Sequence, residues 1–208
     1  CAKDDAGTAE RAKARLTLNI LEEGPRLAAR AADEKAVQDV NVFLYDVRGI
    51  ARPQHFYVQG GVLACCVPVG EYEVYAVANL HEDMGAMDRG ALLAYEFRMP
   101  RNYASLPMSG RAACTVGPKT QSITVSVRRN VAKIVCNISF YGTNYNLKLQ
   151  SVQMMDMAGV TTLFAEDQQA RELCSSELSA MAPYENRKAS RTFFLAENCR
   201  GEVLGIAS

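Results

Sequence analysis

The chain has 208 residues, of which 49% are hydrophobic, and its 23 basic and 23 acidic side chains give a formal net charge of zero. A neutral chain lacks the basic surface typical of nucleic-acid binding, so we expect no nucleic-acid partner. The sequence contains no run of about eighteen apolar residues, which argues against a membrane-spanning helix, and its length allows one large domain or two small ones.

The chain opens with CAKDDAGTAERAKA, a small and polar segment without apolar periodicity, which is typical of a flexible leader over residues 1–14. The next segment, RLTLNI, alternates, with Leu16, Leu18 and Ile20 on one face, and predicts a half-buried strand. LEEGPRLAARAADEK, with its Gly-Pro pair and mixed charges, predicts a loop or a short helix.

Several more strands are predicted before residue 80. AVQDVNVFLYD alternates, so that Val40, Val42 and Leu44 share one face. HFYVQGGVLACCVPVGEYEVYAVANL contains three candidate strands separated by Gly-Gly and Pro-Val-Gly. The third of them, GEYEVYAVANL, is charged at its start and apolar on both faces afterwards, which indicates burial on both sides of a sheet.

One helix is predicted, in MGAMDRGALLAYEFRMP. Its apolar residues recur at roughly helical spacing and a proline ends the pattern: Met87, Leu92, Leu93, Phe97 and Met99. The segment after it, NYASLPMSGRAACTVGPKT, is predicted to be irregular.

The longest β pattern is SITVSVRRNVAKIVCNISFYG, where Ile123, Val125 and Val127 alternate with polar residues. RRN in its middle predicts a bulge or a bend. NLKLQSVQMMDMAG predicts a further strand, residues 158–190 are predicted to be rich in loops, and RTFFLAENCRG predicts a last short strand.

About eight or nine short strands with a single short helix predict a mainly β protein, an immunoglobulin-like antiparallel β-sandwich. We place an N-terminal β-sandwich domain at 15–150. We place the start of a second β domain, or a reduced second domain, at 151–208.

Seven cysteines and two histidines are available for metal or redox chemistry, without a CxxC motif, so a zinc site is poorly supported. Cys65, Cys66 and Cys136 lie in apolar runs, which predicts buried thiols, with a disulfide as the alternative. The sequence suggests no nearby base that would make any of them catalytic. We expect no metal and no cofactor.

Motifs for catalysis are missing from the sequence, which has no GxSxG, GxGxxG or P-loop lysine pattern. His81-Glu82-Asp83 indicates a solvated loop rather than a metal site, since consecutive residues do not readily converge on one ion. Arg128 and Arg129 would face opposite sides of a strand, which indicates ordinary charges rather than a phosphate site. We therefore expect a binding or assembly module and not an enzyme.

The start of the chain resembles a bacterial lipoprotein. Cys1, with Lys-Asp-Asp at residues 3–5, is similar to the start of a mature lipoprotein after signal-peptidase cleavage, with the surface-export signal of Bacteroides-type lipoproteins. The alternative is a cloning boundary. If the resemblance is correct, Cys1 is the lipid attachment residue.

The body of the chain resembles the Bacteroides-type fimbrillin superfamily over nearly its whole length. ARLTLNI, VQDVNVFLYDVRG, PVGEYEVYAVANL, LPMSG, VSVRRNVAKIVCNIS, LKLQSVQMMDMAG and RTFFLAENCRGE follow one another in the order that this family shows. The closing FFLAENCRG resembles the family's "PENLRG"-type segment, with Ala196 in place of the proline and Cys199 in place of the leucine.

The resemblance implies a transthyretin-like β-sandwich that acts as a fimbrial subunit, anchor or tip protein in adhesion. It implies a surface-exposed, lipid-anchored position at the outer membrane. The partners would be other fimbrial subunits and a host or bacterial surface ligand.

The resemblance also implies assembly by strand replacement, in which a trypsin-like protease cuts in the loop behind the first strand. Arg26 and Arg30 are the cleavage candidates, with plain surface charge as their alternative, and Leu16, Leu18 and Ile20 would belong to the displaced strand.

Two further expectations remain open. Family members usually have a full second domain after the closing segment, so we expect either a truncated form or a subunit that accepts a strand without donating one. The alternative function is a surface glycan-binding lipoprotein of a polysaccharide-uptake system, which would need an exposed aromatic platform.

Overall fold

The computed structural model describes residues 12–23, 37–98, 105–119, 121–139, 152–164, 172–178 and 188–196. These residues form twelve strands and one helix: β1 (Lys13–Glu22), β2 (Asp39–Asp46), β3 (Gln54–Gln59), β4 (Val62–Pro68), β5 (Gly70–Ala78), α1 (Arg89–Leu93), β6 (Glu96–Arg98), β7 (Met108–Val116), β8 (Gln121–Arg129), β9 (Val131–Ser139), β10 (Val152–Thr162), β11 (Glu172–Leu178) and β12 (Lys188–Ala196). The predicted mainly β fold with one short helix is confirmed. The described residues include no helix long and apolar enough to cross a bilayer.

The chain forms two compact units. The first contains β1 to β5, α1, β7 and β8, and the second contains β6 and β9 to β12. The second unit thus begins at Val131 and also includes Glu96–Arg98, whereas the second domain is predicted from the sequence to begin at residue 151.

The first unit is one seven-stranded sheet in the order β3-β2-β5-β7-β8-β1-β4. Only two residue pairs, Met108 with Arg129 and Ser109 with Arg128, join β7 to β8. The two edge strands, β3 and β4, follow each other in the chain through Gly60 and Gly61. The sheet is therefore folded over into a sandwich, with β3-β2-β5-β7 as one layer and β8-β1-β4 as the other.

The core of the first unit lies between these layers and is built from alternating side chains. In β1 and β4 every second residue is buried, as in a strand with one face in the core and one in water. The core residues shared by the layers are Ala14, Leu16, Leu18, Ile20, Val40, Val42, Leu44, Leu63, Cys65, Val67, Tyr72, Val74, Ala76, Ala78, Met108, Val116, Val125 and Val127.

β2 is buried on both faces, because the segment after β5 covers its outer side. Tyr45 donates a hydrogen bond to the carbonyl of Met87 at 3.1 Å, and its ring meets Tyr75 edge-on with centroids 5.7 Å apart. Arg89 donates to the Tyr75 hydroxyl at 3.1 Å and pairs with Glu73 at 2.8 Å. Burial, with Asp88 nearby, raises the pKa of Tyr45 to about 12.

The predicted helix is much shorter than its apolar pattern suggested. α1 has five residues, and the carboxylate of its N-cap, Asp88, accepts the N–H of Ala91 at 2.8 Å. Phe97, which the pattern placed in the helix, instead lies in β6 and pairs with Thr161 of β10. Met99 lies outside the described residues.

A strand occupies the stretch that was predicted to be irregular. β7 pairs with β5 along its whole length, from Met108 with Ala78 to Val116 with Gly70. Its small residues give little difference in hydropathy between the two faces of the strand, so the side-chain pattern does not indicate a strand although the backbone pairs along its whole length. The expectation that 158–190 is rich in loops is likewise wrong in part, because β10 extends to Thr162 and β11 follows at Glu172–Leu178.

The second unit contains a two-stranded sheet, β12-β9, and a three-stranded sheet, β11-β10-β6. β9 and β12 pair antiparallel from Val131 with Ala196 to Ser139 with Lys188. A small apolar cluster contains Met154, Met157, Phe193 and Leu195, with Ile134 and Cys136 packed against it. Among the described strand pairs, β1 with β8 is parallel and the others are antiparallel.

Candidate interface at the first strand

β1 is an internal strand with a partner on each side. It pairs antiparallel with β4, from Lys13 with Pro68 to Asn19 with Val62. On its other edge it pairs parallel with β8. Removing β1 would therefore leave two strand edges facing one vacant groove.

The inner face of β1 supplies apolar side chains to the core. Leu16 and Leu18 are fully buried, and Ala14 and Ile20 are nearly so. The three residues assigned to a displaceable strand, Leu16, Leu18 and Ile20, thus share one face; their displacement stays a prediction. Burying a leucine or isoleucine side chain stabilises a fold by about 1.5–3 kcal/mol, so this face binds β1 tightly.

The ends of β1 are fixed by backbone hydrogen bonds outside the regular ladder. The N–H of Val69 donates to the carbonyl of Ala12 at 2.8 Å, and the N–H of Ile20 donates to Gly61 at 2.7 Å. At the far end, the N–H of Glu23 donates to the carbonyl of Val127 at 2.8 Å. The strand is therefore held in one register along its full length.

Two ion pairs connect the end of β1 to the end of β8. The Nε atom of Arg129 lies 2.8 Å from Oε1 of Glu22, and both side chains are largely buried, at 14% and 19% exposure. This contact is an ion pair without hydrogen-bond geometry at Nε. Arg128 donates from Nε and Nη2 to the two oxygens of Glu23, each at 3.2 Å.

From the sequence, Arg128 and Arg129 are predicted to be ordinary charges, and no role is predicted for Glu22 and Glu23. The side chain of Arg128 is 75% exposed and that of Arg129 is 14% exposed, as expected for neighbours on a strand. The hydrogen bonds to Glu23 raise the pKa of Arg128. A signal for these ion pairs was present in the sequence: Glu22 and Glu23 directly follow one alternating segment, and Arg128 and Arg129 end another.

Three further candidates lie outside the described residues. They are the lipid attachment candidate Cys1 and the two protease-processing candidates, Arg26 and Arg30. Both arginines fall in the segment 24–36 that connects β1 to β2.

The structure describes the bonding state of four cysteines. Cys65, Cys114 and Cys136 are free thiols, whereas Cys66 takes part in a disulfide. Burial raises the pKa of the Cys65 thiol to about 11, and the neighbouring Cys114 adds to the shift. The prediction of a buried thiol is confirmed for Cys65. It is wrong for Cys66, whose side chain points to the exposed face of β4, and Cys136 is only half-buried.

A polar network fixes the turn after β5 to the start of β2. His81 contacts Asp39 at 2.6 Å through Nδ1 and Ser105 at 2.8 Å through Nε2. This connectivity is that of a serine hydrolase triad. However, Ser105 is 3% exposed, so its hydroxyl is not presented to a substrate. The array instead accommodates the left-handed backbone of His81, at φ 59°.

The other predicted loop residues join a second network on the outer face of β2. His55 Nε2 lies 3.0 Å from Oδ1 of Asn41, and that oxygen also accepts the N–H of Met84 at 3.0 Å. His55 Nδ1 lies 3.7 Å from the exposed carboxylate of Asp83. Burial lowers the pKa of His55 more than this carboxylate raises it. His81 and Asp83 thus have different partners: His81 contacts Asp39 and Ser105, whereas Asp83 lies near His55.

Acidification is expected to destabilise the first unit through His55. In the unfolded chain the imidazole binds a proton near its ordinary pKa of about 6.5, whereas the folded state binds it only at lower pH. Stability is therefore lost as pH falls below about 6.5. Thermal unfolding followed between about pH 7.5 and pH 5 should show a smaller loss for His55→Gln, which keeps a donor for Asn41. Identical pH dependence in the two proteins would contradict this assignment.

No family model and no curated protein matches the chain. Its fold does resemble solved structures. A protein provisionally named as a cell adhesion protein, from Parabacteroides distasonis, superposes with a TM-score of 0.65 at 17% identity, covering 92% of this chain and 72% of that one.

Two other similar structures come from related bacteria. The tip fimbrial protein Mfa3 from Porphyromonas gingivalis, with a C-terminal truncation, gives a TM-score of 0.61 at 16% identity, covering 89% of this chain and 69% of that one. A Bacteroides thetaiotaomicron protein provisionally named for polysaccharide binding gives 0.64 at 14% identity, covering 86% and 71%. The resemblance inferred from the sequence is therefore confirmed at the level of the fold, which this chain shares with solved fimbrial and cell adhesion structures.

Proposed function

We propose that this protein is a surface-exposed fimbrial or adhesion subunit that assembles through the groove occupied by β1. The observation that supports the proposal is the position of β1. It is bordered by a strand on each side and buries Leu16, Leu18 and Ile20, yet it is joined to β2 through a segment containing two arginines.

Cleavage after Arg26 or Arg30 would break the chain between β1 and β2. β1 would then be bound only by its two ladders and its apolar face. A strand from a neighbouring subunit can replace it, because main-chain hydrogen bonds supply affinity and alternating side-chain pockets supply register. The partners are accordingly other fimbrial subunits, together with a ligand on a host or bacterial surface.

We also propose that Cys1 bears the lipid that anchors the uncut subunit at the outer membrane. The support is the Cys-Ala-Lys-Asp-Asp sequence at residues 1–5 and the fold shared with fimbrial structures. Two or three acyl chains attach a protein stably to a bilayer, whereas one does not. A thioether at Cys1 excludes a disulfide at the same sulfur, so the bonding partner of Cys66 bears directly on this proposal.

The alternative, a glycan-binding surface lipoprotein, gains support from the name of one similar structure. Such a site would use exposed aromatic rings. The aromatic residues whose side chains the structure describes are instead buried, as are Phe43, Tyr45, Tyr72 and Tyr75, or half-buried, as are Phe56, Tyr57, Tyr95 and Phe97. We therefore favour assembly over glycan binding.

Intact-mass spectrometry of the protein from its own cells, before and after a trypsin-like protease, tests the proposal. Before the protease we expect an acylated Cys1, and after it a folded product that begins after Arg26 or Arg30 and has lost the lipid together with Cys1. An R26A/R30A variant should stay uncut in the same assay. A mass without lipid, or a Cys1–Cys66 disulfide in the unreduced digest, would contradict the anchor, and an uncut native chain in assembled fibres would contradict strand replacement.

A further inference from the structure

We propose that the groove occupied by β1 selects its incoming strand by an acidic pair placed directly after the apolar residues. The occupant is an extended segment of another subunit with the pattern small-x-apolar-x-apolar-x-apolar-x-acid-acid. In this chain the pattern runs from Ala14 in β1 to Glu23, the residue that directly follows β1. The inference rests on the proposed strand replacement and adds to it a rule for the partner.

Apolar alternation alone leaves the register of such a strand ambiguous. A slip by one residue would turn every apolar side chain to the solvent and is strongly disfavoured. A slip by two residues would keep the apolar side chains facing the core. It would move the chain by about 6.6 Å along the groove, so a feature at one end must distinguish the two registers.

The two arginines of β8 provide this feature. In the parallel ladder Glu22 lies opposite Val127, which places the acidic pair beside Arg128 and Arg129. After a two-residue slip toward either end, the acids would no longer meet these guanidinium groups. The Arg129 pair is the more demanding one, because both of its side chains are largely buried and a partly buried charge without its partner is costly.

The exposed ion pair, between Arg128 and Glu23, fixes the orientation of the strand end. Arg128 contacts both carboxylate oxygens of Glu23 through two nitrogens, an arrangement that fixes orientation as well as distance. Both side chains are exposed, so this pair adds little to stability. It attracts an acidic strand end during encounter and weakens as salt rises.

The opposite end of the groove supports the same register. Ala14 is buried at 4% exposure, at the position where a slipped strand would place a leucine. Adding methylene groups to a packed site forces neighbouring side chains to move. A small residue first and an acidic pair last therefore define one alignment.

The experiment uses the full chain with a site-specific protease sequence inserted in the segment 24–36. After cleavage, fluorescent peptides compete with the native strand, and anisotropy reports their binding. The probes are KARLTLNILEE, the same peptide with E22K/E23K, and a control with K13E/R15E, which reverses two charges away from the arginines. We expect E22K/E23K to bind about tenfold or more weakly than the wild-type peptide, and the control to bind within about twofold of it.

The receptor variant R128E/R129E should reverse the preference and bind the E22K/E23K peptide better than the wild-type one. The peptide comparison on the unaltered receptor decides the question even if this variant does not fold. Equal binding of the wild-type and E22K/E23K peptides would overturn the selection rule while leaving strand replacement intact. Failure of every peptide, including the wild-type sequence, to displace β1 would instead overturn strand replacement and the rule that rests on it.

Discussion

Replacing Gly110 by alanine is expected to destabilise the first unit by about 3 kcal/mol or more. A Cβ atom at this position would lie 2.0 Å from the carbonyl oxygen of Ser126 and 2.9 Å from Cα of Val127. Both are backbone atoms of β8, so no side-chain rotation can relieve the clash. Gly110 also follows the two residue pairs that join the layers of the sandwich, where separation of β7 from β8 would open the core.

The matched control is Gly117→Ala. Its Cβ would lie 3.4 Å from the amide nitrogen of Gln121, the end of a flexible side chain, so the neighbour can move. We expect a change within about 0.5 kcal/mol. Urea unfolding followed by circular dichroism compares the two variants with the wild type. Equal midpoints for Gly110→Ala and Gly117→Ala would show that the close approach of β7 to β8 is wrong.

Leu18→Ala is the second change with a large expected effect, a loss of about 2–5 kcal/mol. Leu18 is fully buried, with 0% of its surface accessible to solvent. It pairs with Leu63 of β4 on one side and with Ile123 of β8 on the other. Truncation removes buried methyl groups and leaves a cavity among packed neighbours. The denaturation midpoint measures the loss, and under the proposed function the same variant should release its cleaved strand faster.

Thr17→Ala is the control for Leu18→Ala, since Thr17 lies on the outer, half-exposed face of the same strand. We expect it to change stability by about 0.5 kcal/mol or less. If the two variants unfolded at the same denaturant concentration, the assignment of the inner face of β1 would be wrong. The apolar part of the proposed strand pattern would then lose its basis.

Alternating hydropathy predicted the strands that have one face in the core. RLTLNI lies in β1 and DVNVFLYD forms β2, and GEYEVYAVANL is buried on both faces after its charged start. The RRN bend is also confirmed, because Asn130 separates β8 from β9. In these segments the period of the side chains and the period of the backbone agree, so the local pattern is sufficient.

The sequence failed where backbone pairing, rather than side-chain pattern, determines the structure. β7 was missed because Ser109, Gly110 and Ala112 offer no contrast between its faces, although Gly110 is needed for close approach to β8. The helix was overextended because Phe97 matched a helical spacing while its backbone pairs with β10. Neither pairing partner can be inferred from local residues.

The candidate interface was predicted in part. Leu16, Leu18 and Ile20 were identified because their alternation is local. The two ion pairs were not, because Glu22 and Arg129 meet only through the pairing of two strands about a hundred residues apart. The ion-pair partner of a charged residue therefore depends on which strands pair, and this cannot be inferred from its local sequence.

The parallel pairing of β1 with β8 also has a consequence for folding kinetics. Asn19 and Ser122, which share a hydrogen bond, are 103 residues apart in the chain. Contacts between residues so far apart in the chain form only after a large loop has closed, and the entropy lost in closing it slows folding. β1 therefore gains its second edge late, after β8 is in place. Until then β1 and β8 each present an unpaired edge, so this stage of folding is the one most exposed to incorrect strand capture.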